Sequence, residues 1–176
     1  MPENIPLSDE RVVPAPTIRS FRRVVTGLDE QGRSTVLEDG LSPHVQVVAD
    51  TPTFVYTNLW RHEEVPVDNS GPADDGLGSP GRIAPPAAGS ILRIVEFPPD
   101  SHWDTGPEVR EAMFHSTPSL DYAIVLEGCI WHVMDADERE LMAGDVLIQR
   151  GTRHLWSNRS DRPCLIAFVL IGGSAV

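Results

Sequence analysis

An all-β fold, an antiparallel sandwich or barrel, is predicted for this chain on three observations. Short runs rich in β-branched and aromatic residues recur from Val45 to Ile171. Turn signals separate these runs every eight to ten residues in the last half of the chain. No amphipathic helix longer than two turns is evident, the best candidate being the short Pro107 to Met113 segment.

In order, residues 1–16 read as a loose arm, polar and proline-containing. Ile18 to Val25 and Ser34 to Leu37 are short apolar–polar stretches around a turn at Asp29 to Gly32. Val45 to Val48 and Thr53 to Trp60 read as strands. Pro66 to Ser90 is dense in Pro, Gly, Ala and Asp, and is expected to be a surface excursion or a lid. The strands Ile91 to Phe97, Asp121 to Leu126, Cys129 to Met134, Arg139 to Met142, Val146 to Gln149, His154 to Ser157 and Leu165 to Ile171 follow. Pro98-Pro99, Gly128, Asp135 to Asp137, Ala143 to Asp145, Arg150 to Thr152 and Asn158 to Pro163 separate them. A single domain over 1–176, with a barrel core over 91–171, suits a chain of 176 residues.

The net charge is -12, which disfavours nucleic acid and anionic membranes as partners because phosphate groups are repelled. No apolar run is long enough to cross a bilayer, and the start of the chain lacks the basic and apolar regions of a secretory signal. A cytoplasmic location is therefore expected. Cys129 and Cys164 lack CxxC spacing and read as small buried hydrophobes rather than as a zinc or redox pair.

Four of the six histidines, His102, His115, His132 and His154, lie in the last half. His115 is followed by Thr117, Asp121 and Gly128, and His154 is preceded by Gly151 and followed by Asn158. Residues an even number apart share a strand face, so His115, Thr117 and Asp121 can face one side, and His154, Trp156 and Asn158 another. His102 reads as an exposed loop residue, His132 as structural and Tyr122 as packing outside. His115 and His154 could equally be hydrogen-bonded core histidines, with Asp121 capping a turn. A carboxylate facing an apolar interior nevertheless needs a partner or a raised pKa.

Phe114 to Gly128 resembles the first cupin motif, with Thr117 where a second histidine is usual and Val109 where a glycine is usual. Gly144 to Asn158 resembles the second, with Gln149 in place of a proline and Gly144 one residue closer than the pattern. Fifteen residues, 129–143, separate the two. The resemblance implies a double-stranded β-helix (jelly-roll-like) barrel, often paired as a homodimer, with a small-molecule substrate. It also implies one divalent metal ion (Fe, Zn, Mn or Ni) on His115, Asp121 and His154, these three being the catalytic candidates. Thr117, Trp156 and Asn158 would line the substrate pocket. The implied activity is a metal-dependent lyase or isomerase acting beside a carbonyl. An Fe(II) dioxygenase on the same triad and a metal-free metabolite-binding barrel are the alternatives.

Overall fold

The computed structural model describes residues 7–8, 11–77, 83–103 and 106–174. Eleven strands dominate it: β1 (Arg22–Leu28), β2 (Ser34–Leu41), β3 (Val45–Val48), β4 (Thr51–His62), β5 (Ser90–Phe97), β6 (Ser119–Glu127), β7 (Cys129–Met134), β8 (Glu138–Met142), β9 (Val146–Gln149), β10 (His154–Ser157) and β11 (Cys164–Gly172). A 3₁₀ turn at Asp100–His102 and the helix α1 (Pro107–Met113) lie between β5 and β6. A six-stranded antiparallel sheet runs β3-β4-β5-β11-β6-β9, and a three-stranded sheet runs β10-β7-β8. The β1–β2 hairpin forms a sheet of its own. The expected all-β double-stranded β-helix barrel is the observed architecture.

The strand periodicity explains which side chains reach the interior. Along β6 burial alternates strictly, and Ser119, Asp121, Ala123 and Val125 are the buried set. Polar residues therefore occupy one end of this face and apolar ones the other. β11 pairs Phe168 with both Arg93 of β5 and Ala123 of β6, which carries the same layer across three strands. The core joins Phe54, Phe97, Trp156 and Phe168, with ring centroids 5.3 Å apart for Phe54–Phe97 and 5.5 Å for Trp156–Phe168. Tilted and edge-on contacts at these separations are favourable for aromatic quadrupoles.

Two local devices fix the strand ends. Gly128, between β6 and β7, has φ +79°, and a Cβ there would lie 2.9 Å from the Pro163 carbonyl oxygen. Only glycine meets both demands. Asp100 staples the β10 end: Oδ2 accepts from the Ser157 hydroxyl at 2.6 Å and Oδ1 from the Asn158 N–H at 2.9 Å. The Asn158 side-chain amide then donates to the Phe97 and Arg162 carbonyls at 2.9 and 2.8 Å.

Three sequence expectations need correction. β1 begins at Arg22 rather than at Ile18, and β2 runs on to Leu41. The arm is not wholly loose: Leu7 bridges Val48 and the Ser8 N–H donates to the Val47 carbonyl at 3.1 Å. Residues 1–6 and 9–10 of that arm lie outside the described residues. The 66–90 excursion, described apart from 78–82, is anchored through Asp75. Its carboxylate meets Arg23 at 2.7 Å and His44 at 2.9 Å, and its carbonyl accepts from the Arg61 N–H.

Asn158→Ala removes the donors to two carbonyls at a site that is 1% exposed. The expected cost is about 2–3 kcal/mol, since buried carbonyls are left without partners. Urea unfolding checks this, and a change under about 0.5 kcal/mol, the range of neutral surface substitutions, would refute the staple.

Candidate functional site

The site begins where α1 ends. Pro107 at its first turn favours initiation, and Phe114 leaves the helix with φ -70° and ψ 121°, an extended conformation. That turn delivers His115 to β10, where His115 and His154 exchange both backbone hydrogen bonds at 2.9 Å. Arg153 fixes the same junction by pairing with Glu111 at 2.6 Å and covering the Phe114 ring at 4.3 Å. As directly opposed residues of an antiparallel pair, the two histidines project to one side. Their ring centroids stand 4.4 Å apart.

Each ring is held through Nδ1. That of His115 lies 3.0 Å from the Met113 carbonyl oxygen. That of His154 lies 2.9 Å from the Thr152 carbonyl oxygen and 3.0 Å from Nε2 of Gln149. Both histidines line a cavity, so Nε2 is the nitrogen each leaves for a bound molecule. Burial pushes the His154 imidazole down to about 3, with His115 adding to the effect, the Thr152 carbonyl opposing it and His132 adding further. Burial lowers His115 too, against the Met113 carbonyl. Both rings are neutral at pH 7.

Thr117 and Asp121 line the same cavity. Thr117, Ser119 and Asp121 are all buried. The Ser119 hydroxyl donates to Thr117 Oγ1 at 2.8 Å, and the Thr117 hydroxyl reaches Asp121 Oδ2 at 3.5 Å, the outer limit of a hydrogen bond. Among the described residues Asp121 Oδ1 has no hydrogen-bond partner. Burial raises the Asp121 pKa, and the Ser119 and Thr117 hydroxyls and the Arg93 charge pull it back. Arg93, 3% exposed, lies over the Tyr56 ring at 4.5 Å.

The space between the lining side chains amounts to about 640 Å³, open solvent included. Phe54, Phe97, Trp156 and Phe168 form an aromatic wall, and Ile83 enters from the long excursion. Tyr56, Arg93, His115, Thr117, Asp121 and His154 supply the polar part. Five of the sequence-derived candidates, His115, Thr117, Asp121, His154 and Trp156, therefore meet at one cavity. Asn158 does not line it, a correction to its expected pocket role, because its amide is spent on the loop after β10. His102 is exposed, and Tyr122 is only partly buried.

Reading the sequence missed Arg93 and Tyr56, which line the cavity, and Gln149, which reaches His154. His132, read as structural, lies beside His154 without lining the cavity. His132 is 1% exposed and its ring lies 5.1 Å from that of His154; among the described residues neither nitrogen has a partner at good hydrogen-bond geometry, the Gln149 side chain being its polar neighbour. Its signal was strand register. Trp156 pairs with His132, and paired residues project to the same side, so an inward Trp156 carries His132 with it. Burial lowers the His132 pKa, the Gln149 side chain opposing and His115 reinforcing.

The residues fit the expected metal set only in part. Among the described residues no three His, Cys, Asp or Glu side chains form a group able to hold a metal ion. His115 and His154 offer two imidazole donors, but Asp121 belongs with Thr117, Ser119 and Arg93. Cys129 and Cys164 are free thiols, and Cys164 is buried in the core. No helix among the described residues is long and apolar enough to cross a membrane.

No protein-family model matches the chain. Among curated proteins it is similar to the cupin-domain-containing oxidoreductase srdD of Neurospora crassa, 32% identical over 149 residues, covering 82% of this chain and 70% of that protein. It is also similar to phomopsin biosynthesis cluster protein C' of Diaporthe leptostromiformis, 36% identical over 155 residues, 83% of this chain and 75% of that one. Among solved structures, the cupin domain of Schizosaccharomyces pombe Cnp3 covers 86% of this chain and 87% of its own at 13% identity, with a TM-score of 0.48. With both motif segments at one barrel cavity and relatives of this identity and coverage, the chain belongs to the cupin-domain proteins.

Proposed function

We propose that this protein is an enzyme that moves a proton beside a carbonyl of a small molecule, an isomerase- or lyase-type reaction, with Asp121 as the transferring group. The observation that carries this reading is Asp121 itself. It is a carboxylate 4% exposed, on a cavity wall, with Oδ1 unpartnered and a pKa raised mainly by burial. Such a group is costly as a structural element and suited to general acid–base work. The aromatic wall suits a flat apolar body. Nε2 of His154, when it carries the proton, can hold the carbonyl oxygen, and the Nε2 lone pair of His115 a hydroxyl or a water.

The names of several relatives favour a second reading, an oxidoreductase. The same two imidazoles would then hold part of a redox metal, and Fe(II) reconstitution with measured oxygen uptake distinguishes the two.

Deuterium exchange at the C3 methylene of phenylpyruvate, beside its ketone, followed by proton NMR in D2O, tests the first reading. Wild type should accelerate exchange above buffer, and Asp121→Asn should lower that acceleration about 10²–10⁴-fold, the usual weight of a general acid–base group. Equal rates for the two proteins, with binding of the probe verified by calorimetry, would sink it.

The neutral histidines also set a pH dependence. The folded pKa of His154, about 3, lies below its unbound value of 6.5, so the unfolded chain binds more protons between these limits. Stability is complete above pH 6.5 and falls as pH drops toward the folded value. His154 alone should cost about 2 kcal/mol between pH 6.5 and 5, at about 1.4 kcal/mol per pH unit. His154→Asn should flatten the urea midpoint against pH over that window, and an unchanged slope would contradict the assignment.

A further inference from the structure

Gln149 is 3% exposed, and its side-chain amide ends among three polar atoms. Nε2 lies 2.7 Å from the Thr152 carbonyl oxygen, 2.8 Å from the Thr152 Oγ1 and 3.0 Å from Nδ1 of His154. The carbonyl accepts only, so the amide nitrogen, and not its oxygen, must face it. A primary amide has two N–H groups for these three positions.

Two arrangements of hydrogens satisfy the cluster at the same net charge. In one, Nδ1–H of His154 donates to the Thr152 carbonyl, Gln149 donates to both Thr152 oxygens, and Nε2 of His154 is a lone pair. In the other, Gln149 donates to Nδ1, and His154 carries its proton on Nε2, facing the cavity. The Thr152 carbonyl keeps a donor in both. His115 has no such choice. Among the described residues its Nδ1 meets only the Met113 carbonyl, an acceptor, so the neutral ring keeps Nδ1–H and offers a lone pair at Nε2.

We propose that Gln149 is a positioning residue for His154: its amide admits the Nε2–H tautomer, so His154 presents a hydrogen-bond donor to the cavity while His115 presents an acceptor. The cavity then recognises a substrate carbonyl oxygen at His154 and a hydroxyl or water at His115. A proline at position 149, as in the resembled motif, has no side-chain N–H and would leave His154 with the acceptor tautomer only. This use of the tautomer in substrate recognition rests on the enzyme reading above, but the tautomer itself does not.

The test is two-bond proton–nitrogen NMR on protein labelled with ¹⁵N-histidine, without metal or substrate. Wild type should show an Nε2–H population for His154 and only Nδ1–H for His115. Gln149→Leu, of similar volume and without a donor, should abolish the Nε2–H signals of His154. Thr152→Val, at an exposed position, removes one competing acceptor and should raise that population. The second variant keeps the assignment testable if Gln149→Leu does not fold. Pure Nδ1–H at His154 in the wild type, or a population unmoved by Thr152→Val, would overturn the proposal. If the tautomers shift as stated while phenylpyruvate exchange is absent, the positioning role stands and the enzyme reading fails.

Discussion

The paired backbone hydrogen bonds between His115 and His154 are the contact on which the rest of the site depends. They join the segment leaving α1 to β10, and so tie a connection entering the large sheet to an edge of the small one. The same two bonds set the side chains of both histidines on one side, 4.4 Å apart. Each imidazole is then held by a backbone carbonyl within its own segment, Met113 for one and Thr152 for the other. Barrel closure and site assembly are thus one event, because a slip of one residue in this pairing would turn a histidine away from the cavity.

Burial governs the chemistry that this geometry permits. The cavity wall is mostly apolar, and it acts on both kinds of titratable group in the neutral direction, lowering the histidines and raising Asp121. Weak support accentuates the effect. Asp121 receives the pull of the Ser119 hydroxyl, a long contact from Thr117 and the Arg93 charge, but among the described residues no hydrogen bond at Oδ1. Asp100, by comparison, has both carboxylate oxygens occupied by Ser157 and Asn158 and serves only to hold a strand end. The two aspartates differ in partners rather than in residue type, and that difference separates a reactive group from a structural one.

Much of the architecture was legible because β structure writes itself in local pattern. β3, β7, β9, β10 and α1 have the limits that composition and turn residues suggest. The two spaced histidine segments also converge as parity suggests. Asn158 misled for a physical reason: an inward-parity residue at a strand end can turn its amide to the backbone of the next loop. His132 and Arg93 were hidden because each lies on a strand whose facing depends on its neighbours. Nothing local to Trp131-His132 or to Ile91 to Phe97 says which side is inside until β10 and β11 are paired with them.

The amino-acid order by itself determined the strand periodicity, the turns, and a set of histidines and one carboxylate at spacings compatible with a shared interior. Those properties arise from contacts within a few residues and from the two-residue repeat of an extended chain. The tertiary structure alone decided that Asp121 stands apart from the histidines beside Arg93, and that Gln149 reaches Nδ1 of His154. These are matters of register between strands distant in sequence and of a few tenths of an ångström in side-chain placement, which local pattern does not encode.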